Sequence, residues 1–278
     1  MNTRQLLEQA TARLDEAGVA SPRHDAEVLL VHVTGVPRAM LLIGARPDDV
    51  QLKIYREMID ARARRVPLQH ITGTAAFRYV DVEVGPGVFV PRPETELLAG
   101  WAIEAAAEVS GRPAVVVELC AGSGAISLSV VHEVPQAQVH AVELDERAYG
   151  WALRNLDGTG VDVRCGDMAD AFGDLDGTVD VVVANPPYIP LDAWESVAPE
   201  ARDHDPALAL WSGEDGLDAM RVVEQVAWRL LRSGGVVGAE HADAQGESAP
   251  AVFASRWAEV RDHADLAERP RFVTARRP

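Results

Sequence analysis

The sequence predicts an α/β protein, with a parallel sheet covered by helices on both faces and a small helical bundle before it. Three observations predict this. From residue 114 onward, short apolar runs such as "AVVVEL" (114–119) and "VDVVVAN" (179–185) alternate with segments of helix length, the pattern of strands joined by crossover helices. Before residue 70 the apolar residues recur at helical spacing. Between the two lies "FRYVDVEVGPGVFVPR" (77–92), which alternates as strands do.

Leu6, Leu7, Ala10 and Leu14 mark the first helix, with Gly18 as its stop. "SPRHDAEVLLVHVTG" opens on Ser21-Pro22, a helix-start signal, and closes on Gly35. A third helix is predicted over 48–65, carried by Val50, Ile54, Met58 and Ala61. Residues 1–70 therefore read as a helical domain, 71–92 as a β-hairpin linker turning on Gly85-Pro86-Gly87, and 93–278 as a second, larger domain. Within that domain a helix is expected over 93–110, then a strand over 114–119, a glycine loop, and a helix from about residue 125. Strands follow at 138–144, 161–165, 179–185 and 234–241, with helices ending at Asn155 and spanning 216–232. Residues 189–215 read as irregular.

The chain has 278 residues and a net charge of −17, spread along its length. Such a surface favours solubility and repels phosphate backbones, so direct nucleic-acid binding is not expected. Arg62, Arg64 and Arg65 form one candidate basic run, read here as solvated side chains on a helix face. The two cysteines, Cys120 and Cys165, have no metal-ligand spacing and suggest a reducing cytosol. No metal site is expected. No apolar run is long enough for a signal peptide core or a membrane span. A cytoplasmic protein is expected, and nothing in the sequence demands more than a monomer.

In doubly wound sheets, ligands gather at the carboxyl ends of the strands, and three strand ends here are unusual. "ELCAGSGA" (118–125) places Cys120, Ala121, Gly122, Ser123 and Gly124 between a strand and a helix N-terminus. Glycines there let a backbone approach a ligand, and the helix start favours negative charge. Glu143 ends the next strand, where a carboxylate can accept both ribose hydroxyls of an adenosine cofactor. Loop and acid alone do not separate a nicotinamide cofactor from S-adenosylmethionine.

The third strand end does separate them. Asn185-Pro186-Pro187-Tyr188 follows a buried strand. A conjugated amide or aromatic amine is a poor nucleophile because its lone pair is delocalised. If the Asn185 side-chain oxygen and the Pro186 carbonyl each accept one N–H, the nitrogen is drawn towards tetrahedral geometry with its lone pair facing a methyl donor. The prolines fix the carbonyl direction and donate no competing N–H. The Tyr188 ring can pack on the flat face of the amide. No His–Asp or Cys–His arrangement is apparent, and none is needed.

These residues carry a family resemblance. With "QHITGTAAF" (69–77), "FVPRPETE" (89–96), "ELCAGSGAISL" (118–128), "NPPYIP" (185–190), "EDGLDAMRVVEQ" (214–225) and "LLRSGGVVGAEH" (230–241), the chain resembles the glutamine methyltransferases that modify peptide-chain release factors, the HemK/PrmC family. The resemblance runs over nearly the whole chain. The Asn-Pro-Pro-Tyr tetrad is shared with adenine methyltransferases of DNA, whereas "VPRPETE" before the glycine loop is more specific. The resemblance implies a class I (Rossmann-like) domain using S-adenosylmethionine, with an N-terminal helical domain that helps dock the substrate. That substrate would be the glutamine of the Gly-Gly-Gln motif of class I release factors.

Family roles fall on Cys120 through Gly124 as the cofactor loop, Glu143 at the ribose, and Asn185 through Tyr188 at the glutamine. Asn185 would also border the cofactor. Met168 stands where relatives often carry an aromatic residue beside the adenine, and a thioether can cover a ring face. Cys120 replaces the first glycine expected in the loop; a left-handed backbone there would cost roughly 1–2 kcal/mol and weaken cofactor binding. A ribosomal-protein glutamine methyltransferase and a nucleic-acid amino-methyltransferase are alternatives with related chemistry. A non-catalytic adenosine-binding adaptor is a third, which the intact tetrad disfavours.

Overall fold

The computed structural model describes residues 2–44 and 46–278. Two compact units are present: the chain up to Thr74 together with Ala198–His204, and Ala75–Val197 together with Asp205–Pro278.

The first unit contains α1 (Thr3–Glu16), α2 (Pro22–Thr34), α3 (Leu41–Gly44), α4 (Asp49–Ala63) and α5 (Leu68–Thr72). Asn2 opens α1 with a capping box, its side-chain oxygen accepting the Gln5 N–H at 2.9 Å. Gly35 closes α2 in the left-handed conformation. Leu7, Leu14, Leu29, Leu30, Tyr55 and Ile59 form the core.

Two expectations fail here. The predicted stripe on the third helix lies on the wrong side, since Val50 and Ile54 are exposed and the buried face of α4 is Tyr55, Ile59 and Arg62. The Tyr55 hydroxyl donates to the Ala26 carbonyl at 3.0 Å, so an aromatic ring with a polar tip outcompetes the aliphatic stripe for the core. Nor are all the arginines solvated: Arg64 is exposed as expected, but Arg62 and Arg65 are not. Arg62 is buried and donates to Asp25 at 2.7 Å, to Glu200 at 2.9 Å and to the Val66 carbonyl. Arg65 meets Glu200 at 2.6 Å. Burial is the largest single influence and raises the Glu200 pKa, but hydrogen bonds from Arg65, the backbone and Arg62 together outweigh it and hold the carboxyl down at about 2.

The second unit opens with a hairpin of β1 (Thr74–Phe77) and β2 (Val80–Glu83), whose first residue belongs to the other unit. Its strands are joined at Arg78-Tyr79; Gly85-Pro86-Gly87 does turn, with the Val88 N–H donating to the Gly85 carbonyl at 3.3 Å, but it follows β2 and does not join the paired strands. Arg78 takes the positive φ because its guanidinium is held by Glu133 at 2.7 Å and the Glu96 carbonyl at 3.2 Å. Gly85 serves packing instead: a Cβ there would lie 2.6 Å from the Trp151 ring.

Next come α6 (Thr95–Ala107), β3 (Val115–Leu119), α7 (Ala125–Glu133), β4 (Gln138–Glu143), α8 (Glu146–Asn155), β5 (Asp162–Cys165) and β6 (Val179–Ala184). The short α9 (Pro199–His204) belongs to the first unit, and the second continues with α10 (Asp218–Leu230), β7 (Leu231–Glu240), α11 (Ser248–Phe253), β8 (Ala258–Ala264) and β9 (Pro270–Arg276). The seven-stranded sheet runs β5-β4-β3-β6-β7-β9-β8. Its first five members are parallel, while β9 is antiparallel to both β7 and β8. The sheet is thus mixed, and the closing antiparallel pair was not anticipated; charged residues interrupt "AEVRDHA" because β8 is an edge strand with one wet face.

The valine runs are buried on both faces. In β6, Val181 and Val183 pack with α6 and α7, whereas Val182 and Ala184 pack with α10 and α11. Gly238 on β7 lets Trp101 of α6 lie directly on the sheet, since a Cβ would meet its ring at 2.3 Å. Replacing Gly238 by Ala is expected to destabilise the protein by about 1–3 kcal/mol through overpacking. Thermal or urea unfolding checks this, and an unchanged midpoint would show that Trp101 moves aside freely.

Candidate active site

Register aligns the carboxyl ends of the parallel strands. Leu119 pairs with both Val142 and Ala184, Glu143 with Cys165, and Ala184 with Ala239. The loop after β3, the end of β4, the turn after β5 and the tetrad after β6 therefore lie along one edge. Every residue singled out from the sequence falls on that edge.

The loop after β3 is a tight, strained turn. Cys120 and Gly122 have φ of 58° and 56°, and Gly124, which caps α7, has 79°. The glycines differ in use. A Cβ at Gly124 would lie 2.8 Å from Leu156, so this glycine serves packing, while Gly122 has open space where a side chain would stand. That opening is the feature a ligand approaching the backbone requires. Asn155 holds the loop from behind, donating to the Ser123 carbonyl at 2.9 Å and accepting the Glu83 N–H at 2.8 Å.

Glu143 also holds the loop. Its carboxylate accepts the Gly122 N–H at 2.7 Å and the Asp145 N–H at 2.8 Å. Burial raises its pKa, and these backbone donors oppose the shift. Its carboxylate oxygens keep lone pairs that these bonds do not use. The Cys120 thiol points at the Met168 thioether, with the sulfurs 3.6 Å apart. Burial and, next, the Glu143 charge push the Cys120 pKa up, so this thiol stays protonated and is no nucleophile.

The tetrad is fixed at both ends. Asn185 donates from Nδ2 to the Thr95 hydroxyl at 3.2 Å. Pro186 is buried. The Tyr188 hydroxyl reaches Glu240 at 3.3 Å, and its own pKa is raised by burial above all. Gln245 donates to the Tyr188 carbonyl at 3.1 Å, and Gly216 passes so close that a Cβ would lie 2.3 Å from the same oxygen. Beyond the tetrad, Ile189 exchanges backbone hydrogen bonds with Leu210 and Ser212 at 2.9 Å. Arg92 of the "VPRPE" segment donates to Asp205 at 2.7 Å, and burial lifts the Asp205 carboxyl to about 6.

Sequence reading missed Thr95, Glu118, Asn155, Glu240 and Gln245. One signal was available: Glu118, one residue before the end of β3, and Glu240, at the end of β7, both lie in apolar strands that leave no room for a solvated carboxylate. In a His–Asp pair that it did not anticipate, buried His241 meets the exposed Asp262 at 2.8 Å, and the other ring nitrogen of His241 faces the Ala242 carbonyl. Among the described residues no cluster suited to a metal ion occurs, and no helix is long and apolar enough to cross a membrane.

A mixed sheet with this strand order, carrying a glycine loop after its first strand and a polar tetrad after its fourth, defines a class I methyltransferase domain. Residues 103–198 match the model of the methyltransferase small domain, and residues 5–73 match that of the PrmC N-terminal domain. The chain is 57% identical to a release factor glutamine methyltransferase of Streptomyces coelicolor over 97% of its length and 96% of the relative's. It is 46% identical to the enzyme of that name from Mycolicibacterium smegmatis, over 99% of this chain and 97% of the relative. The chain belongs to the release factor glutamine methyltransferase family. A 4-amino-L-phenylalanine/4-methylamino-L-phenylalanine methyltransferase of Streptomyces pristinaespiralis is 41% identical over 91% of this chain and 88% of its own. Glutamine and aromatic-amine enzymes are thus both found among its relatives.

Glu118 provides a test of stability at this edge. Its buried carboxyl accepts the Ser127 N–H at 2.9 Å and the Ser127 hydroxyl, and burial lifts its pKa to about 8. The folded state then binds the proton more tightly than the unfolded state does. The stability contribution is full below about pH 4.5 and falls as pH rises towards 8. In Glu118→Gln this loss is removed, so stability between pH 5 and 8 should depend less on pH than in the wild type. Urea titrations at both pH values check it; parallel slopes for the two proteins would place the ionised carboxylate in the native state.

Proposed function

We propose that the protein is an S-adenosylmethionine-dependent protein-(glutamine-N5) methyltransferase of the cytoplasm, acting on the Gly-Gly-Gln glutamine of class I release factors. The observation that carries this reading is an intact Asn-Pro-Pro-Tyr tetrad in a chain similar over nearly its whole length to enzymes of that name. Residues 1–70 act as the docking domain, 71–92 as the linker and 93–278 as the catalytic domain.

S-adenosylmethionine supplies an electrophilic methyl group when bound. Cys120 through Gly124 line the path of the cofactor, with Gly122 leaving the backbone open to it. Glu143 offers its free lone pairs to the ribose hydroxyls, and Met168 covers a face of the adenine. Asn185 accepts one N–H of the glutamine amide at Oδ1, and the Pro186 carbonyl accepts the other. Pro187 stiffens the turn, and the Tyr188 ring flanks the amide plane. The nitrogen would bond to the methyl carbon as the donor's S–CH3 bond breaks and leaves a neutral thioether, and it would then lose one proton to water without a dedicated base. Two fixed acceptors act chiefly by orientation.

Cofactor binding is tested at Glu143. The Glu143→Ala variant is expected to bind S-adenosylmethionine more weakly by about 1.5–3 kcal/mol, the range for hydrogen bonds to charged groups. Calorimetry measures it, and an unchanged affinity in a folded variant would move the ribose site elsewhere.

The substrate is tested directly. Mass spectrometry of a class I release factor after incubation should find one added methyl on the Gly-Gly-Gln glutamine, and none when that glutamine is replaced by alanine. Free 4-amino-phenylalanine and duplex DNA should take none. Asn185→Ala should bind cofactor normally and turn over about 10²–10³ more slowly, as for loss of one preorganised group. Methylation of the aromatic amine in preference to the factor would reassign the substrate class.

A further inference from the structure

The two prolines stiffen the tetrad and also deprive it of anchors. Neither Pro186 nor Pro187 has an N–H, so the turn after β6 cannot be tied down by donors at those residues. The direction of the Pro186 carbonyl is then settled by β6 on one side. On the other side it is settled by whatever fixes the chain at Tyr188.

At Tyr188 that restraint comes from Gln245. Its Nε2 donates to the Tyr188 carbonyl at 3.1 Å and to the Asp215 carbonyl at 3.1 Å, while its Oε1 accepts the Ala242 N–H at 2.9 Å. A carbonyl can only accept and an N–H can only donate, so all three contacts demand the same orientation of the amide. Turned over, it would set an oxygen against two carbonyls and N–H groups against an N–H. Gln245 is 6% exposed, so solvent has no ready access to replace these bonds.

The joint is closed from two more sides. Gly216, with φ of 76°, passes so near that a Cβ would lie 2.3 Å from the Tyr188 carbonyl oxygen and 2.6 Å from Gln245 Nε2. Gln245 ends a short helical turn, Asp243–Gln245, that follows β7. The start of that turn is fixed by buried His241, whose Nε2 meets Asp262 of β8 at 2.8 Å and whose Nδ1 faces the Ala242 carbonyl at 2.8 Å. The closing antiparallel pair of the sheet thus reaches the tetrad through one glutamine side chain.

We propose that Gln245 is a positioning residue of methyl transfer: by tying the Tyr188 carbonyl to the loop before α10, it sets the direction of the Pro186 carbonyl that receives a substrate N–H. This deepens the functional reading above and rests on the tetrad acting as the nitrogen holder. Because Gln245 acts through the backbone of the tetrad, its loss falls on orientation and leaves cofactor binding at the ends of β3 and β4 untouched.

The test uses the full chain with S-adenosylmethionine and a class I release factor. Gln245→Met fills much the same space without a donor, and it should lower kcat about ten- to hundredfold, the scale of a misplaced reacting group. Cofactor affinity by calorimetry and the KM for the factor should stay within about threefold, because the loss falls on the transition state. Gln245→Lys has a side chain of similar shape that can donate to both carbonyls, and its kcat should exceed that of Gln245→Met by about threefold or more. A side chain that only filled space would not make Gln245→Lys the faster of the two. Gly216→Ala presses on the same carbonyl from another side and should lower kcat on the same scale with cofactor affinity kept; it decides the matter where Gln245→Met does not fold. Full turnover in Gln245→Met or in Gly216→Ala, a loss confined to KM or cofactor affinity, or Gln245→Lys no faster than Gln245→Met would each overturn the proposal. Normal turnover in Asn185→Ala would instead remove the nitrogen-holder reading on which it rests.

Discussion

Three acids at the carboxyl edge of one sheet impose the constraint around which the site is folded. Glu118, Glu143 and Glu240 terminate or nearly terminate β3, β4 and β7, and burial raises the pKa of each. A buried carboxyl needs donors. For Glu118 these come from Ser127, for Glu143 from Gly122 and Asp145, and for Glu240 from the Tyr188 hydroxyl. The donors belong to the loops and helix starts that bear the candidate ligand residues. Burying the acids therefore shapes the loops, and the geometry of the site follows from an electrostatic demand of the sheet.

Features whose cause is local were readable from the sequence. The valine runs of β3 and β6, the glycine loop and the proline-stiffened tetrad each carry their physical reason within about ten residues of chain. The failures have a different source. Arg78 turns the hairpin because Glu133, 55 residues on, holds its guanidinium. Arg62 is buried because Asp25 lies 37 residues before it. Thr95 reaches Asn185 across 90 residues. No local pattern contains such contacts, so residues that act through a distant partner were read as surface, turn or background.

The tetrad illustrates how the two kinds of information combine. The proposed role, a holder for a planar nitrogen, is common to amide and aromatic-amine chemistry, and relatives named for both substrates match this chain. What the fold adds is rigidity. Gln245 and the close pass of Gly216 fix the Tyr188 carbonyl, and paired backbone bonds from Ile189 continue the restraint. A pair of acceptors that must wait for a poor nucleophile gains from such restraint, because a mobile acceptor would lose in orientation what it supplied in charge.

Cys120 shows the same logic applied to backbone strain. A left-handed cysteine costs roughly 1–2 kcal/mol relative to a relaxed backbone, and such residues persist where the surroundings over-determine them. Here the next residue, Ala121, donates its N–H to the Val142 carbonyl at 3.0 Å, and the Gly122 N–H is taken by Glu143. The chain cannot relax at Cys120 without breaking those bonds. The thiol meanwhile fills the space beside Met168, which a glycine would leave empty. The strained residue thus joins the loop to the turn after β5, and the backbone conformation that glycine would adopt freely is enforced by its neighbours.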